Sequence, residues 1–470
     1  MLIRFAVENF RCFSDEAILS MLATSDSRHP SHILASPAVK GRRILKAAGV
    51  YGANGHGKTK LIDALGFLKD LMVDQVDGKK LNVVPFRLDA EKLRKPSIFT
   101  IEFVSDGLFY EYGISVSQTH IHEEWLYAKP TTKEALIFRR VTSKLENAFS
   151  TSVQIGATMK KWMKSDSNIP PADLIDFLAD GTPPTKPFLR EAVERKIDAL
   201  KGAFGWFKNT LIVIHADAEY RRLHTRARDE SYFLKRLSEF VTAADVGIKD
   251  LKPVEIQISK QTFPDISDDV LDRLRAACEE SGDTKEVSLQ KGEDVYIVRM
   301  DEDGNFIGTT FSLEHQMKSG DRVSFNLDDE SAGTIRLMHL VPMLANENSS
   351  SVFVVDELDR KLHPVLSKYL LDSMLRTDRG SQFIFTTHNT HLLDAELLRR
   401  DEIWFVQKKS DGSSELYSLA DLRVRPDIDV EKGYFQGRFG GIPVVGDVLA
   451  LGWADDGGGS NGVRSQETPT

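Results

Sequence analysis

The sequence predicts an α/β chain: a mixed sheet with flanking helices, an antiparallel subdomain toward the N-terminus, and a helical insertion between the two halves. Three observations predict it. A glycine-rich turn, Gly52-Ala53-Asn54-Gly55-His56-Gly57-Lys58-Thr59, separates an apolar run at 44–50 from an amphipathic stretch. Short apolar runs recur at 352–355, 383–386 and 403–406, as strands buried on both faces require. Residues 98–116 alternate as a hairpin does, with Phe99, Ile101 and Phe103 before Asp106-Gly107 and Tyr110, Tyr112, Ile114 and Val116 after it.

Composition bounds the answer. A chain of 470 residues allows two or three domains and a sizeable core. With 41% hydrophobic and 28% charged residues it reads as soluble and globular, which excludes a collagen, a wholly disordered chain and a membrane protein. The longest strongly apolar stretch, 337–344, is interrupted by His339 and Pro342 and falls well short of the ~20 residues of a bilayer crossing. Arg4, Glu8, Arg11 and Asp15 leave no uncharged core for a signal peptide, so a cytoplasmic location is expected. Cys12 and Cys278 lie far apart without a CxxC partner, so buried free thiols are expected rather than a disulfide or a zinc site. The formal charge of −9 argues against a dedicated nucleic-acid coat and leaves room for a local basic groove.

Taken in order, LIRFAVENFRCF at 2–13 alternates Ile3, Phe5 and Val7 with Arg4, Ala6 and Glu8, a strand with one buried face. Leu61, Leu65, Leu68 and Met72 place one apolar stripe on a helix after the glycine-rich turn. From about 155 to 245, Pro170-Pro171, Pro183-Pro184 and Pro187 punctuate short helices. A longer helix is expected from Phe188 to Phe207, and another through Phe233, Leu237, Phe240 and Val241, with no heptads for an extended coiled coil. Strand signals return at 286–300, and the Gly/Ser-rich segment after Trp453 reads as a disordered tail. The expected division is an N-terminal lobe (1–127), a mainly helical insertion for assembly or partner docking (128–285), a C-terminal lobe (286–453) and the tail (454–470).

Four segments carry chemistry. The first, 52–59, fits G-x-x-x-x-G-K-[ST] between a strand and a helix. There backbone N–H groups and the helix N-terminus cradle phosphates. Asn54, Gly55, Gly57 and Lys58 are the candidate nucleotide-binding residues, with Lys58 for the β- and γ-phosphates and Thr59 for Mg²⁺. A glycine turn with an exposed lysine is the bland alternative, disfavoured by the flanking elements. The second, Val352-Phe353-Val354-Val355-Asp356-Glu357, would deliver Asp356 to a Mg²⁺ shell and Glu357 to an attacking water. The third, Phe385-Thr386-Thr387-His388, ends an apolar strand in a polar residue that could reach a γ-phosphate; standing alone it is more often a capped strand end. A solvated helix start explains Asp359 and His363 as well as any role does. The fourth, Glu330-Ser331-Ala332-Gly333-Thr334, opens a helix and is either an anion site or an ordinary N-cap.

The order GANGHGKT, ESAGT, VFVVDELDRKLHP, FTTHNTHLLD resembles the ABC-type ATPase heads of the SMC-like and OLD-like (overcoming lysogenization defect) group. In that group the four are the Walker A loop, the signature, the Walker B with its D-loop, and the switch histidine. The opening MLIRFAVENFRCFSD is similar to the group's first strands. The closing EKGYFQGRFGGIP, 431–443, is similar to the C-terminal end of stand-alone ATPases from bacterial anti-phage operons. The resemblance covers about 1–127 and 286–445. It implies an ABC-type P-loop ATPase head, ATP and Mg²⁺ as cofactors, and hydrolysis to ADP and phosphate. It further implies that Ser331 and Gly333 face the γ-phosphate of a nucleotide held by another subunit, that His388 senses that phosphate, that Glu357 polarises water and that Asp359 lies at the dimer seam. The signature departs from the transporter-like LSGGQ, and the group's Q-loop glutamine has only Gln75 and Gln118 as candidates.

Two functions follow as expectations. In one, homodimeric heads or a higher homo-oligomer serve as sensor and scaffold in anti-phage defence, controlling a separate Toprim-like effector nuclease and answering a phage trigger protein. About 80 residues after His388 are too few for a Toprim domain, so the nuclease is expected on another polypeptide. In the other, an SMC-like repair or recombination ATPase clamps duplex DNA. The acidic balance and the missing coiled coil favour the first. Arg221, Arg222, Arg226 and Arg228, with His224, would touch phosphate or an acidic partner, or form a solvated helix face. Trp162, Trp206 and Phe207 are candidate docking anchors.

Overall fold

The sequence supplies two kinds of strand, and they build two different sheets. Runs such as VFVV and QFIFT are apolar at every position and stack in parallel at the centre. The central sheet runs Leu211–Ile214, Val352–Val355, Gln382–Thr386, Ala47–Tyr51, Ile403–Lys408, Ser414–Ser418, with only the last strand antiparallel. Its alternate residues serve opposite cores. Val352, Val354 and Ile384 face the helix Lys58–Val73 and the N-terminal sheet, whereas Phe353, Val355, Phe383 and Phe385 face the helix Pro364–Arg376. The computed structural model describes residues 1–74, 80–131, 133–146, 148–163, 171–218, 220, 223–244, 246–280, 286–292, 294–344, 351–376, 380–425 and 428–442. Gln75, Pro170, Arg221, Arg222 and the expected tail 454–470 lie outside the described residues.

The N-terminal sheet has seven antiparallel strands in the order Phe149–Ile155, Ala135–Lys144, Ile121–Lys129, Leu108–Val116, Ser97–Ser105, Leu2–Glu8, Ala17–Ser20. The expected hairpin is present: Asp106 and Gly107 have φ of 48° and 74°, the two positive values that a type I′ turn requires. The first strand is buried more fully than its alternation suggested, because Leu2 and Ala6 pack away as well as Ile3, Phe5 and Val7. A third sheet, Ile248–Ile258, Phe306–Gln316, Asp294–Met300, Glu286–Lys291, carries the helix Ser231–Ala243 over Leu251, Phe311 and Leu313 and the helix Asp268–Glu280 over Ile258 and Val298. Among the described residues no helix is long and apolar enough to cross a membrane.

The span 128–285 is not one helical insertion. The 127/128 division cuts the strand Ile121–Lys129, and the next two strands continue the N-terminal sheet. Leu211–Ile214 is the edge of the central sheet, and Ile248–Ile258 pairs with Phe306–Gln316 across the 285/286 division. These strands find their partners some 50 to 140 residues further along the chain, so local pattern hid them. The helix expected over 188–207 is interrupted: Phe188–Glu194 ends at Lys196, whose φ is 65°, and Lys201–Gly205 leads into a π turn at Trp206–Thr210. Trp206 and Phe207 are fully buried, with Trp206 stacked on Phe103 at 4.4 Å, so they are core residues and not docking anchors. Trp162 packs partly against the same core. Of the two thiols, Cys278 is buried as expected, but Cys12 is half-buried.

The segment before Phe188 is pinned to the N-terminal sheet by a fully buried ion pair, Glu124–Arg140, at 3.7 Å. Glu124 accepts from the N–H groups of Phe188 (2.6 Å) and Leu189 (2.9 Å), and Arg140 donates to the carbonyls of Pro183 and Lys186. Burial raises the Glu124 pKa and lowers that of Arg140. Removing one partner strands the other charge without solvent, so Arg140→Met is expected to lower the unfolding free energy by about 3–5 kcal/mol, read from urea titration. A loss under about 1 kcal/mol would place the pair in contact with water.

Candidate nucleotide site

The glycine-rich turn follows the strand Ala47–Tyr51 and its course is dictated by contact. A Cβ on Gly52 would lie 2.5 Å from the Val406 carbonyl oxygen, and one on Gly57, at φ 117°, would lie 2.6 Å from Cys12 Sγ. Only glycine fits either place. The helix that follows, Lys58–Val73, has no side-chain cap, so its first N–H groups are left for an anion. Lys58 is 5% exposed and donates to the carbonyls of Gly52 (2.6 Å) and Ala53 (3.2 Å), with His388 Nδ1 at 3.4 Å. Burial lowers its pKa to about 8, opposed in part by Asp356, Glu357 and Asp359.

Three motifs meet on one carboxylate. Asp356 Oδ1 accepts from Thr386 Oγ1 at 2.6 Å and from Thr59 Oγ1 at 3.3 Å. Thr386 Oγ1 also accepts from the Glu357 N–H at 2.8 Å, which helps to hold Glu357 at φ 48°. His388 follows on the next strand end; burial, then the Lys58 charge, lower its pKa. Its backbone N–H lies 3.4 Å from Asp359 Oδ1. Thr59 and Asp356 offer the hard oxygen donors that Mg²⁺ takes beside phosphate. Among the described residues no group of three or more His, Cys, Asp or Glu is placed to hold a metal by itself.

An open cleft of about 950 Å³ joins these residues. Asn54, Gly55, Gly57, Lys58, Thr59, Glu357 and His388 line it, together with Arg11, Cys12, Phe86, Arg87 and Lys408. Sequence reasoning missed Arg11, Phe86, Arg87 and Lys408. The segments meet because Arg11 N donates to the Val84 carbonyl (2.8 Å) and Phe86 N to Asn9 Oδ1 (3.1 Å), pairings that no spacing advertises.

Ser331 and Gly333 do not line this cleft. Ser331 Oγ caps the helix Ala332–Leu340 by accepting from Thr334 N at 3.1 Å, and its residue is exposed. Gly333 has a reason within its own chain: a Cβ there would lie 2.7 Å from the Lys361 carbonyl oxygen. Gln118 also stands outside the cleft, donating to the Val83 carbonyl. His363 accepts from Val365 N at 3.3 Å, as a helix-start residue does. Arg226 is held by Glu230 and Tyr220 over the Phe233 ring, and Arg228 by Asp229 and Glu286, so these two arginines are engaged within the chain. His224 is buried against Phe311.

A loop of this shape between a parallel strand and a helix, with a threonine, a carboxylate and a histidine at neighbouring strand ends, is a P-loop nucleotide site. The α/β fold around it sets a mixed central sheet beside an antiparallel N-terminal sheet. The chain belongs to the family described as "AAA domain, putative AbiEii toxin, Type IV TA system", whose model matches residues 47–394. Solved structures similar to it include an SMC head bound to the C-winged helix domain of ScpA, with 13% identity over 89% of this chain and 97% of that one and a TM-score of 0.37. The SMC head domain from Thermotoga maritima has 12% identity over 90% and 99%, with a TM-score of 0.36. An SMC head with an extended coiled coil, bound to the C-terminal domain of ScpA derived from Pyrococcus furiosus, has 13% identity over 89% and 96%, with a TM-score of 0.35. No curated protein matches the chain.

The depressed Lys58 pKa has a measurable consequence. Phosphate binding needs the ammonium form, so above about pH 8 the site must take up a proton to bind. Nucleoside triphosphate affinity is expected to fall as pH rises from about 8 toward 10, by up to about tenfold per unit, and to be flat in Lys58→Arg. Lys58→Ala should lose at least about tenfold in affinity at pH 7, the worth of a hydrogen bond to a charged group. Titration of a fluorescent triphosphate analogue across that range checks both.

Proposed function

We propose that the chain is an ATP-hydrolysing head that works in pairs, and that it serves in the bacterial cytoplasm as sensor and scaffold of an anti-phage system, controlling a separate effector nuclease. The observation that carries the pairing is the separation of the signature turn from the chain's own cleft: Ser331 is exposed and lines no part of it. Walker A and signature stand 331 − 58 = 273 residues apart. In this reading Ser331 and Gly333 meet the γ-phosphate of a nucleotide bound by a second copy, with Asp359 at the seam. Within one chain, Asn54, Gly55, Gly57 and Lys58 hold the phosphates, Glu357 orients and polarises the attacking water, and His388 contacts the γ-phosphate. Thr59 and Asp356 would hold Mg²⁺, which when bound neutralises charge on the β- and γ-phosphate oxygens.

The defence assignment is supported by the family, whose description names a toxin and a toxin–antitoxin system. The finer reading is a likeness to AriA, the ATPase of the PARIS anti-phage system, and rests on the closing segment 431–443. A Toprim-like nuclease is the proposed partner and a phage protein the proposed trigger. Direct DNA binding belongs to the competing clamp.

Turnover per chain is expected to rise with protein concentration until dimers saturate, and Glu357→Gln is expected to bind ATP and lock the dimer on sizing. Flat specific activity over a wide dilution range, with a monomer throughout, contradicts paired heads. Co-purification with a Toprim-like nuclease encoded beside the gene supports the scaffold. Salt-sensitive, ATP-dependent duplex binding by the purified chain supports the clamp instead.

A further inference from the structure

Glu357 is held by more than its own backbone. The edge strand Leu211–Ile214 lies beside Val352–Val355, and the turn after it, closed by Ala218 N donating to the His215 carbonyl at 2.9 Å, brings Asp217 to the end of the acidic strand. Asp217 Oδ1 pairs with Arg360 Nη2 at 2.8 Å. The same guanidinium donates through Nη1 to Glu357 Oε2 at 3.1 Å. One arginine therefore bridges two carboxylates that stand 357 − 217 = 140 residues apart. The turn is tied from its other side as well: Arg336, 5% exposed on the signature helix, donates to the carbonyls of Ala218 (3.3 Å) and Asp356 (3.5 Å).

The positive φ of Glu357 and its N–H bond to Thr386 fix where the side chain leaves the backbone. They do not fix the rotatable bonds beyond it, and a glutamate retains much rotamer freedom unless something holds its end. Arg360 is the group that does so, through a charge-assisted bond to one oxygen. Glu357 Oε1 makes no hydrogen bond among the described residues, and Glu357 itself lines the cleft. We infer that Asp217 and Arg360 are positioning residues for Glu357: Asp217 holds Arg360, and Arg360 holds one carboxylate oxygen so that the other is presented to the attacking water. This deepens the reading of Glu357 as the water-polarising group and rests on it. Asp217 is largely exposed (76%), and Arg360 (38%) and Glu357 (30%) are partly so; the pairs contribute little to stability and the variants should fold.

Steady-state ATP hydrolysis by the full chain, at a concentration where turnover has saturated, tests the inference. Arg360→Gln and Asp217→Asn are each expected to lower kcat about five- to tenfold with KM and thermal midpoint unchanged, less than the roughly hundredfold that a full 1 Å misplacement costs, because the backbone of Glu357 stays fixed. Arg360→Lys should restore most of the rate. Because Asp217 acts only through Arg360, the double variant Asp217→Asn/Arg360→Gln should be no slower than Arg360→Gln alone. Wild-type kcat in Arg360→Gln, or additive losses in the double variant, would overturn the inference. Glu357→Gln separates the two levels: if it abolishes turnover while Arg360→Gln and Asp217→Asn do not slow it, the positioning role fails alone. If Glu357→Gln turns over normally, the reading of Glu357 fails and the inference falls with it.

Discussion

The carboxylate of Asp356 is the point on which the cleft depends, since it alone accepts from both the P-loop threonine and the threonine ending the histidine strand. It reaches both because of sheet register. Val355 pairs with Ile214 on one side and Phe385 on the other, and Thr386 in turn pairs with Val50. The acidic and histidine strands therefore end level, so that Asp356 and Thr386 meet, and the turn after Tyr51 returns Thr59 to the same place. A slip of one residue would send Asp356 to the opposite face of the sheet. The alternation of Val352 and Val354 into one core and Phe353 and Val355 into the other prevents that slip, so packing chemistry sets site geometry.

Charge in the cleft is arranged against the chain's overall sign. The protein carries a formal −9, yet among the described residues Arg11, Lys58, Lys60, Arg87 and Lys408 line the cleft against a single lining acid, Glu357. Lys58 is the costly member, desolvated and bonded to neutral carbonyls, and a triphosphate would repay that desolvation. The helix Ala332–Leu340 is built into the same unit. Gly333 packs on the Lys361 carbonyl just past Asp359, and Arg336 reaches the carbonyl of Asp356 itself. The helix Ala332–Leu340 thus touches the acidic strand's end and the segment after it directly, through Arg336 and Gly333.

How much was legible follows from which interactions are local. The P-loop, the acidic strand and the histidine strand could be read because each is a run of consecutive residues with a fixed chemical purpose. The hairpin at 97–116 was legible from alternation around Asp106-Gly107. Leu211–Ile214 was not, because four apolar residues amid helical pattern become a strand only beside Val352–Val355. Trp206 and Phe207 read as surface anchors because a sequence does not show that Phe103 and Tyr112 wait opposite them. Arg11, Phe86 and Arg87 reach the cleft through loop-to-loop hydrogen bonds and carry no motif. Gly333 was assigned a role toward another subunit, and its tight contact with Lys361 gives it a reason inside its own chain.

Asp356 and Thr59 would complete a Mg²⁺–nucleotide site whose phosphate cradle, the turn 52–57 and Lys58, holds without them. Calorimetric titration of ATP into wild-type chain and Asp356→Asn, each with Mg²⁺ and with chelator, tests it directly. Mg²⁺ is expected to tighten binding in the wild type, and Asp356→Asn to lose that increment while keeping the metal-free affinity set by the P-loop and Lys58. An Asp356→Asn variant that keeps the full Mg²⁺-dependent increment would contradict it.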